Sequence, residues 1–107
     1  METLALRTAA CYTEAGKPKR AAELFDEILS TGTLSHRDFG FFSARRATAL
    51  ALSGEPDEAA AVGLASLQVA QETHSERTVY LLGEVVRTLE PWSSRPGPRT
   101  LKEAVLA

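Results

Sequence analysis

Apolar residues recur through most of the chain at the three- and four-residue spacing of amphipathic helices. The clearest stripe follows Pro18 and consists of Ala21, Leu24, Phe25, Ile28 and Leu29, which is the spacing of one buried helix face. The pattern predicts five helices, over about residues 2–15, 18–29, 35–52, 56–72 and 75–89, and a short sixth helix near the end. The chain is poor in the β-branched and aromatic residues that strands favour. We therefore expect an all-α fold.

Two similar corners divide this helical pattern. The segment Ala15–Ala22 returns as Ser53–Ala60, 38 residues further on, and each copy lies between two apolar helical stretches. Glycine can adopt the left-handed conformation that ends a helix, proline two residues later suits the first turn of the next helix, and paired alanines let two helices approach closely. The corners predict antiparallel helical hairpins, with repeats over about residues 2–33 and 38–74 and closing helices over 75–107.

Serine, glycine and proline residues predict the remaining local features. Ser35 and Ser75 are expected to cap the helices that follow them. Gly83 marks a place in the fifth helix where a neighbour could approach closely. The proline-rich segment Trp92–Arg99 is expected to be an ordered turn or linker, so that the last helix opens at Thr100.

The first repeat resembles the tetratricopeptide pattern when Gly16 is placed at the turn glycine of that family. The matching positions are Ala9, Tyr12, Ala21, Phe25 and Leu29. With Gly54 at the turn, the second repeat keeps Ala47, Leu50, Ala59 and Leu67. It departs from the pattern at Gly63, where an aromatic residue is expected, and at Ser66, where an alanine is expected. The second repeat is therefore a degenerate one.

Further residues carry a closer resemblance: Thr31–Asp38, Phe42, Ala49–Ala59, Ser75–Thr78 and Leu89–Trp92. Together they are similar to the C-terminal tetratricopeptide-like domain of actinobacterial XRE-type helix-turn-helix regulators. The resemblance implies a regulatory binding domain that does not itself read DNA, because in that family the DNA-reading domain lies upstream of the repeats. Met1 opens directly on the first repeat helix, so we expect either an excised fragment or a partner-binding half encoded alone.

Length and charge narrow the class of protein. A chain of 107 residues suits one domain with one core, over residues 1–107. Twelve lysines and arginines against 14 acidic residues give a net charge of −2, which offers no general attraction to nucleic acid. The single cysteine excludes an internal disulfide and fits a cytoplasmic location. The apolar runs are too short to predict a membrane span.

No residue set predicts catalysis, a cofactor site or a metal site. His36 and His74 are the only histidines and lie in different breaks between helices, without the spacing of paired metal ligands. Cys11 lies on the expected packed side of the first helix, far from an activating histidine. Phosphate-binding glycine loops and nucleophile motifs are lacking. We therefore expect a non-enzyme.

The tetratricopeptide resemblance implies where a ligand would bind, because the first helix of each pair lines the concave surface in that family. The implied inward positions are Thr3, Leu6, Ala10, Thr13, Glu14, Phe41, Ala44, Arg45, Thr48, Ala51 and Leu52. The lysine and asparagine with which some relatives hold a peptide's terminal carboxylate are replaced by small and apolar residues. Our candidate groove is Leu6, Ala10, Phe41, Ala44, Arg45 and Thr48. The nearest cations are Arg7, Arg45 and Arg46, of which Arg45 is the first candidate to meet an acidic ligand.

The leading hypothesis is a regulatory or adaptor module that binds a peptide, a protein or a hydrophobic small molecule in this apolar groove. Three alternatives stay open. The chain's own fifth helix could fill the groove, as helices do in small bundles. The apolar helices could pair between two copies in a homodimer. The chain could also be an accessory protein or enzyme of specialised metabolism that uses Tyr12, Tyr80 or Arg45.

Overall fold

The computed structural model describes residues 2–107, apart from the side chains of residues 2–4, 13 and 14. Its α-helices are α1 (Glu2–Glu14), α2 (Pro18–Leu29), α3 (His36–Leu52), α4 (Pro56–Thr73), α5 (Glu76–Thr88) and α6 (Pro96–Leu106). A short 3₁₀ turn, Glu90–Trp92, joins the last two. No strand occurs in the described part of the chain, and the expected all-α hairpin fold is confirmed.

Both predicted corners have the backbone that the sequence requires. Gly16 has φ +77° and Gly54 has φ +82°, values that glycine adopts without steric penalty. The residue after each glycine donates its N–H back to the ending helix, as in the 2.8 Å bond from Lys17 to the Tyr12 carbonyl. The next residue is the proline that opens the following helix. A local sequence pattern thus determines both hairpin turns.

The helix starts at the two predicted serine caps are confirmed, while the start of α6 is not. The Ser35 hydroxyl accepts the Asp38 N–H at 3.1 Å, and the Ser75 hydroxyl accepts the Thr78 N–H at 3.3 Å. Helix α6 begins at Pro96 rather than at Thr100. Prolines in a first turn remove only N–H groups that have no partner within the helix, so the proline-rich segment opens the helix instead of preceding it.

Helix α3 is the centre of the domain, because it packs against α2, α4 and α5. Helices α5 and α6 continue the stack: α5 lies on α3 and α4, and α6 lies on α4. Helix α1 differs, since its main contact is with α2 alone. The fully buried core side chains include Phe25, Leu82, Val85, Leu89 and Leu101. The first hairpin is therefore joined to the rest of the stack mainly through α2.

Two glycines mark the closest helix contacts. A Cβ atom at Gly40 would lie 2.6 Å from a methyl carbon of Val69, so α3 and α4 approach there through glycine. A Cβ atom at Gly63 would lie 2.9 Å from a methyl carbon of Leu101 in α6. Nothing lies within 4 Å of the corresponding position at Gly83, so the close approach predicted there is wrong. Gly83 faces open space because no helix packs across that point of α5.

The close contacts explain why the second repeat departs from the tetratricopeptide pattern. An aromatic side chain at Gly63 would occupy the space that Leu101 fills. The buried Ser66 hydroxyl donates a 2.7 Å hydrogen bond to the Gly40 carbonyl, a bond that alanine could not make. Gly63 and Ser66 therefore each suit a contact with a neighbouring helix.

Ion pairs join different elements of the fold. Arg46 of α3 reaches Asp26 of α2 at 3.7 Å and Glu58 of α4 at 3.1 Å. Arg95 pairs with Asp57 at 3.0 Å, and Lys102 of α6 pairs with Glu90 at 3.2 Å. The carboxylates in these pairs are more than half exposed, so each pair stabilises the fold by only about 0–1 kcal/mol.

Candidate functional site

A cleft of about 620 Å³ opens between α1 and α3, where the first hairpin splays from the stack. We call it the α1–α3 cleft. It is lined by Leu6, Arg7, Ala10, Phe25, Thr33, Leu34, Ser35, Asp38, Phe41, Phe42, Arg45 and Arg77. Its residues come from α1, α2, the loop before α3, the first half of α3 and the start of α5. The volume lies within the range of ligand-binding clefts.

Three phenylalanines, Phe25, Phe41 and Phe42, form the aromatic part of the cleft lining. Phe25 is almost fully buried and Phe41 is 9% exposed, so both rings belong to the core as well as to the cleft. The Phe41 and Phe42 rings meet edge to face, with centroids 5.1 Å apart and an interplanar angle of 79°. This geometry is favoured between aromatic rings. Because Phe25 and Phe41 are covered, the apolar surface that a ligand can reach comes mainly from partly buried side chains, which we call the apolar surface of the cleft: Leu6, Ala10, Leu34 and Phe42.

Three arginines border this apolar surface, and we call Arg7, Arg45 and Arg77 the cleft arginines. The Arg77 guanidinium carbon lies 3.9 Å from the Phe41 ring centroid, and that of Arg45 lies 5.4 Å from it, both within cation–π distance. Asp38 is the one carboxylate among the described lining residues. None of the cleft arginines forms an ion pair with a residue that the structure describes.

The candidate groove residues fall into two groups. Leu6, Ala10, Phe41 and Arg45 line the cleft together. Ala44 is fully buried in the core, because α3 has helices packed on several sides and the face that carries Ala44 is covered. Thr48 lies one turn beyond the end of the lining, and its hydroxyl donates a hydrogen bond to the Ala44 carbonyl at 3.1 Å.

Other implied inward positions lie elsewhere. Ala51 is buried in the core and Leu52 is exposed, and neither lines the cleft. The implied positions Thr3, Thr13 and Glu14 lie outside the described side chains. Cys11, expected on a packed face, is exposed, because α1 packs mainly against one neighbour and buries only a narrow stripe around Ala9.

The arginines at the cleft are not the three that the sequence predicts. Arg46 turns away from the cleft to its two carboxylates, and Arg77 takes the third position. Sequence reasoning missed Arg77 because its place depends on how α5 packs across α3. Helix α5 does not fill the cleft: it lies on α3 and α4 and contributes Arg77 to the lining. The loop residues Thr33, Leu34 and Ser35 were missed as well.

The hydroxyl and histidine groups have structural contacts. Thr33 shares a 2.7 Å hydrogen bond with Thr31, and Ser35 caps α3. The Nε2 atom of His36 lies 2.8 Å from a carboxylate oxygen of Glu72, which is in the last turn of α4. Within residues 2–107, the described His, Cys, Asp and Glu side chains form no cluster of three or more that could hold a metal. A second depression of about 440 Å³ is lined by Ala70, Gln71, His74, Ser75, Glu76 and Val79.

Among the described residues, no helix combines the length and the apolar character needed to cross a bilayer.

Comparison with known proteins gave no family model, no curated protein and no solved structure that matches the chain. The fold and the cleft thus define the class, which is an all-α stack of helical hairpins with an open cleft between α1 and α3.

Proposed function

We propose that the domain is a non-catalytic binding module that holds a peptide segment of a partner protein in the α1–α3 cleft. The observation that carries this proposal is an open cleft of about 620 Å³ in which partly buried apolar side chains, among them Leu6 and Phe42, lie beside three arginines. Open clefts with an apolar floor and a few polar groups at the rim are typical of peptide and ligand recognition.

A regulatory or adaptor role in the cytoplasm agrees with the resemblance to the tetratricopeptide-like domain of XRE-type regulators. Three features support that resemblance: the glycine corners, the proline helix starts and the stacking of successive hairpins. In such a role the domain would recognise a partner and leave DNA reading to another domain. The net charge of −2 agrees with that division of labour.

The proposal is tested by selecting binders from a displayed library of random peptides. The library is passed over the wild-type domain and over an Ala10→Trp variant, in which a large ring is added to a half-buried lining position. Ala61→Trp on the exposed face of α4 is the matched control. We expect enrichment on the wild type and on the control, and its loss on Ala10→Trp. Equal enrichment on all three proteins, or on none, would contradict a peptide site in this cleft.

A further inference from the structure

We propose that the α1–α3 cleft selects peptides in which an acidic side chain lies next to a bulky apolar one. The inference rests on the proposed peptide-binding function and specifies its ligand. The apolar side chain would lie on the apolar surface of the cleft, against Phe42. The carboxylate would meet the cleft arginines, Arg7, Arg45 and Arg77.

The first argument is charge complementarity. The chain as a whole is acidic, with 14 carboxylate residues against 12 lysines and arginines, yet the cleft has three arginines and one described carboxylate. Most other arginines of the domain already have a partner: Arg46, Arg87 and Arg95 pair with carboxylates, and Arg37 and Arg99 donate to backbone carbonyls. Among the described residues no carboxylate pairs with the cleft arginines, so their positive charge is available to a ligand.

The second argument is geometric. The guanidinium carbons of Arg77 and Arg45 lie 3.9 and 5.4 Å from the centre of the same ring, Phe41. A guanidinium that stacks on a ring keeps its N–H groups in the ring-parallel plane, where they can still donate to a carboxylate. The Arg77 guanidinium lies over the Phe41 ring itself, so a carboxylate that binds Arg77 and Arg45 would lie beside the apolar surface of the cleft. The acidic and the apolar side chain of the peptide are therefore expected to be adjacent.

The third argument concerns how much negative charge the ligand carries. Asp38 lines the same cleft, and its carboxylate would repel a doubly charged phosphate more than a single carboxylate. It can instead accept an N–H group from a peptide backbone. The cleft thus has arginines that can bind an acid, an acceptor for backbone N–H and an apolar surface in one lining, which together suit an acidic–apolar peptide.

The composition of the selected peptides tests the inference separately from the function. Enrichment of aspartate or glutamate beside leucine, isoleucine, methionine or an aromatic residue would support both. Apolar enrichment with no acidic residue, lost on Ala10→Trp, would overturn the inference and leave the peptide-binding function standing. Enrichment that does not depend on the cleft would overturn both. Enrichment of basic residues would overturn the inference.

A second measurement places the acid on the arginines. One selected peptide and its glutamate-to-glutamine counterpart are titrated against the wild type, Arg45→Gln and Arg77→Gln, with Arg20→Gln, an exposed residue of α2 outside the cleft, as the charge-matched control. We expect each cleft variant to weaken the acidic peptide by about five- to tenfold and the amide peptide by much less. Equal weakening of both peptides, or an equal effect of Arg20→Gln, would overturn the assignment. Circular dichroism checks that each variant is folded.

Discussion

At the residue scale, Phe41 has two roles that are hard to separate. It is 9% exposed and packs in the core, and its ring also receives the guanidinium groups of Arg45 and Arg77. The core contact fixes the ring, and the fixed ring fixes the two cations at the cleft. A binding site built in this way is preorganised, which lowers the entropy lost when a ligand is bound.

The stacking of Arg77 on Phe41 predicts a measurable coupling between the two residues. In a double-mutant cycle with Arg77→Gln and Phe41→Leu, we expect a coupling of about 0.5–1 kcal/mol in the free energy of unfolding, the usual size of a cation–π contact near the surface. The measurement is urea denaturation of the four proteins. The same cycle with Arg87→Gln, whose side chain pairs with Glu84, should give no coupling. Equal coupling in both cycles would contradict a specific Arg77–Phe41 contact.

The sequence predicted some cleft residues and misplaced others for a physical reason. Phe41 and Arg45 are one helical turn apart and lie on the same face of α3. If one of them faces the cleft, the other therefore faces it too. Ala44 lies one residue from Arg45, and a rotation of α3 by a fraction of a turn decides which of the two faces the cleft. That rotation depends on α4 and α5 as well as on α1, and no local pattern encodes it. Arg77 enters the site only through such packing.

At the element scale, the corners are the features that sequence alone predicted best, because a glycine and a proline determine them locally. We expect Gly54→Ala to destabilise the fold by about 1 kcal/mol, since alanine at φ +82° is strained and the lower entropy of the unfolded chain offsets only part of that strain. Gly83→Ala is the control, because both positions have open space for a Cβ atom and only Gly54 has positive φ. Thermal unfolding of both variants checks the result; an unchanged midpoint for Gly54→Ala would contradict the strain.

Gly83→Ala also serves as the control for a test of the close approach of α3 and α4 at Gly40. Gly83→Ala should stabilise the domain by about 0.5–1 kcal/mol, because alanine is the better helix former and nothing obstructs its methyl group. Gly40→Ala should instead destabilise it by about 1–3 kcal/mol, because the methyl group would meet the branched carbon of Val69 as well as its methyl group. Chemical denaturation measures both values. Stabilisation by Gly40→Ala would show that the helices can separate at little cost.

The beginning of α6 shows where local rules are ambiguous at the element scale. Pro96 and Pro98 predict a linker from sequence, yet prolines are also accepted in the first turn of a helix. Within this segment Gly97 packs against α4, where an added Cβ atom would lie 3.3 Å from the Ala60 methyl carbon. Sequence alone could not choose between the two outcomes, because the deciding contact joins residues that are distant in the chain.

At the scale of the whole molecule, the cleft exists because the helices are unequally packed. Helices α3, α4 and α5 each contact at least three other elements, whereas α1 is held mainly by α2. A first hairpin packed fully on α3 would close the space that now forms the cleft. The hydrophobic pattern of α1 does not reveal this opening, because a helix with one packed neighbour and a helix with two can share the same amphipathic sequence.

This unequal packing predicts that α1 opens more readily than the centre of the stack. Amide hydrogen exchange depends on the free energy of local opening, which is lowest where few buried contacts are made. We expect amides of Glu2–Glu14 to exchange faster than those of His36–Leu52, because α3 buries residues against three helices while α1 relies on α2. Mass spectrometry of the exchanged protein resolves the two segments.

A peptide bound in the α1–α3 cleft should slow exchange in α1, because Leu6, Arg7 and Ala10 would contact it. At a free peptide concentration of about 100 times Kd, the opening of α1 should become harder by up to about 2.7 kcal/mol. The Ala10→Trp variant with the same peptide is the control and should show no added protection. Equal exchange of α1 and α3 in the free protein would mean that the first hairpin is held as firmly as the core. In that case α1 could not move to close the cleft on a ligand. Recognition would then depend on the apolar surface of the cleft and on the cleft arginines alone.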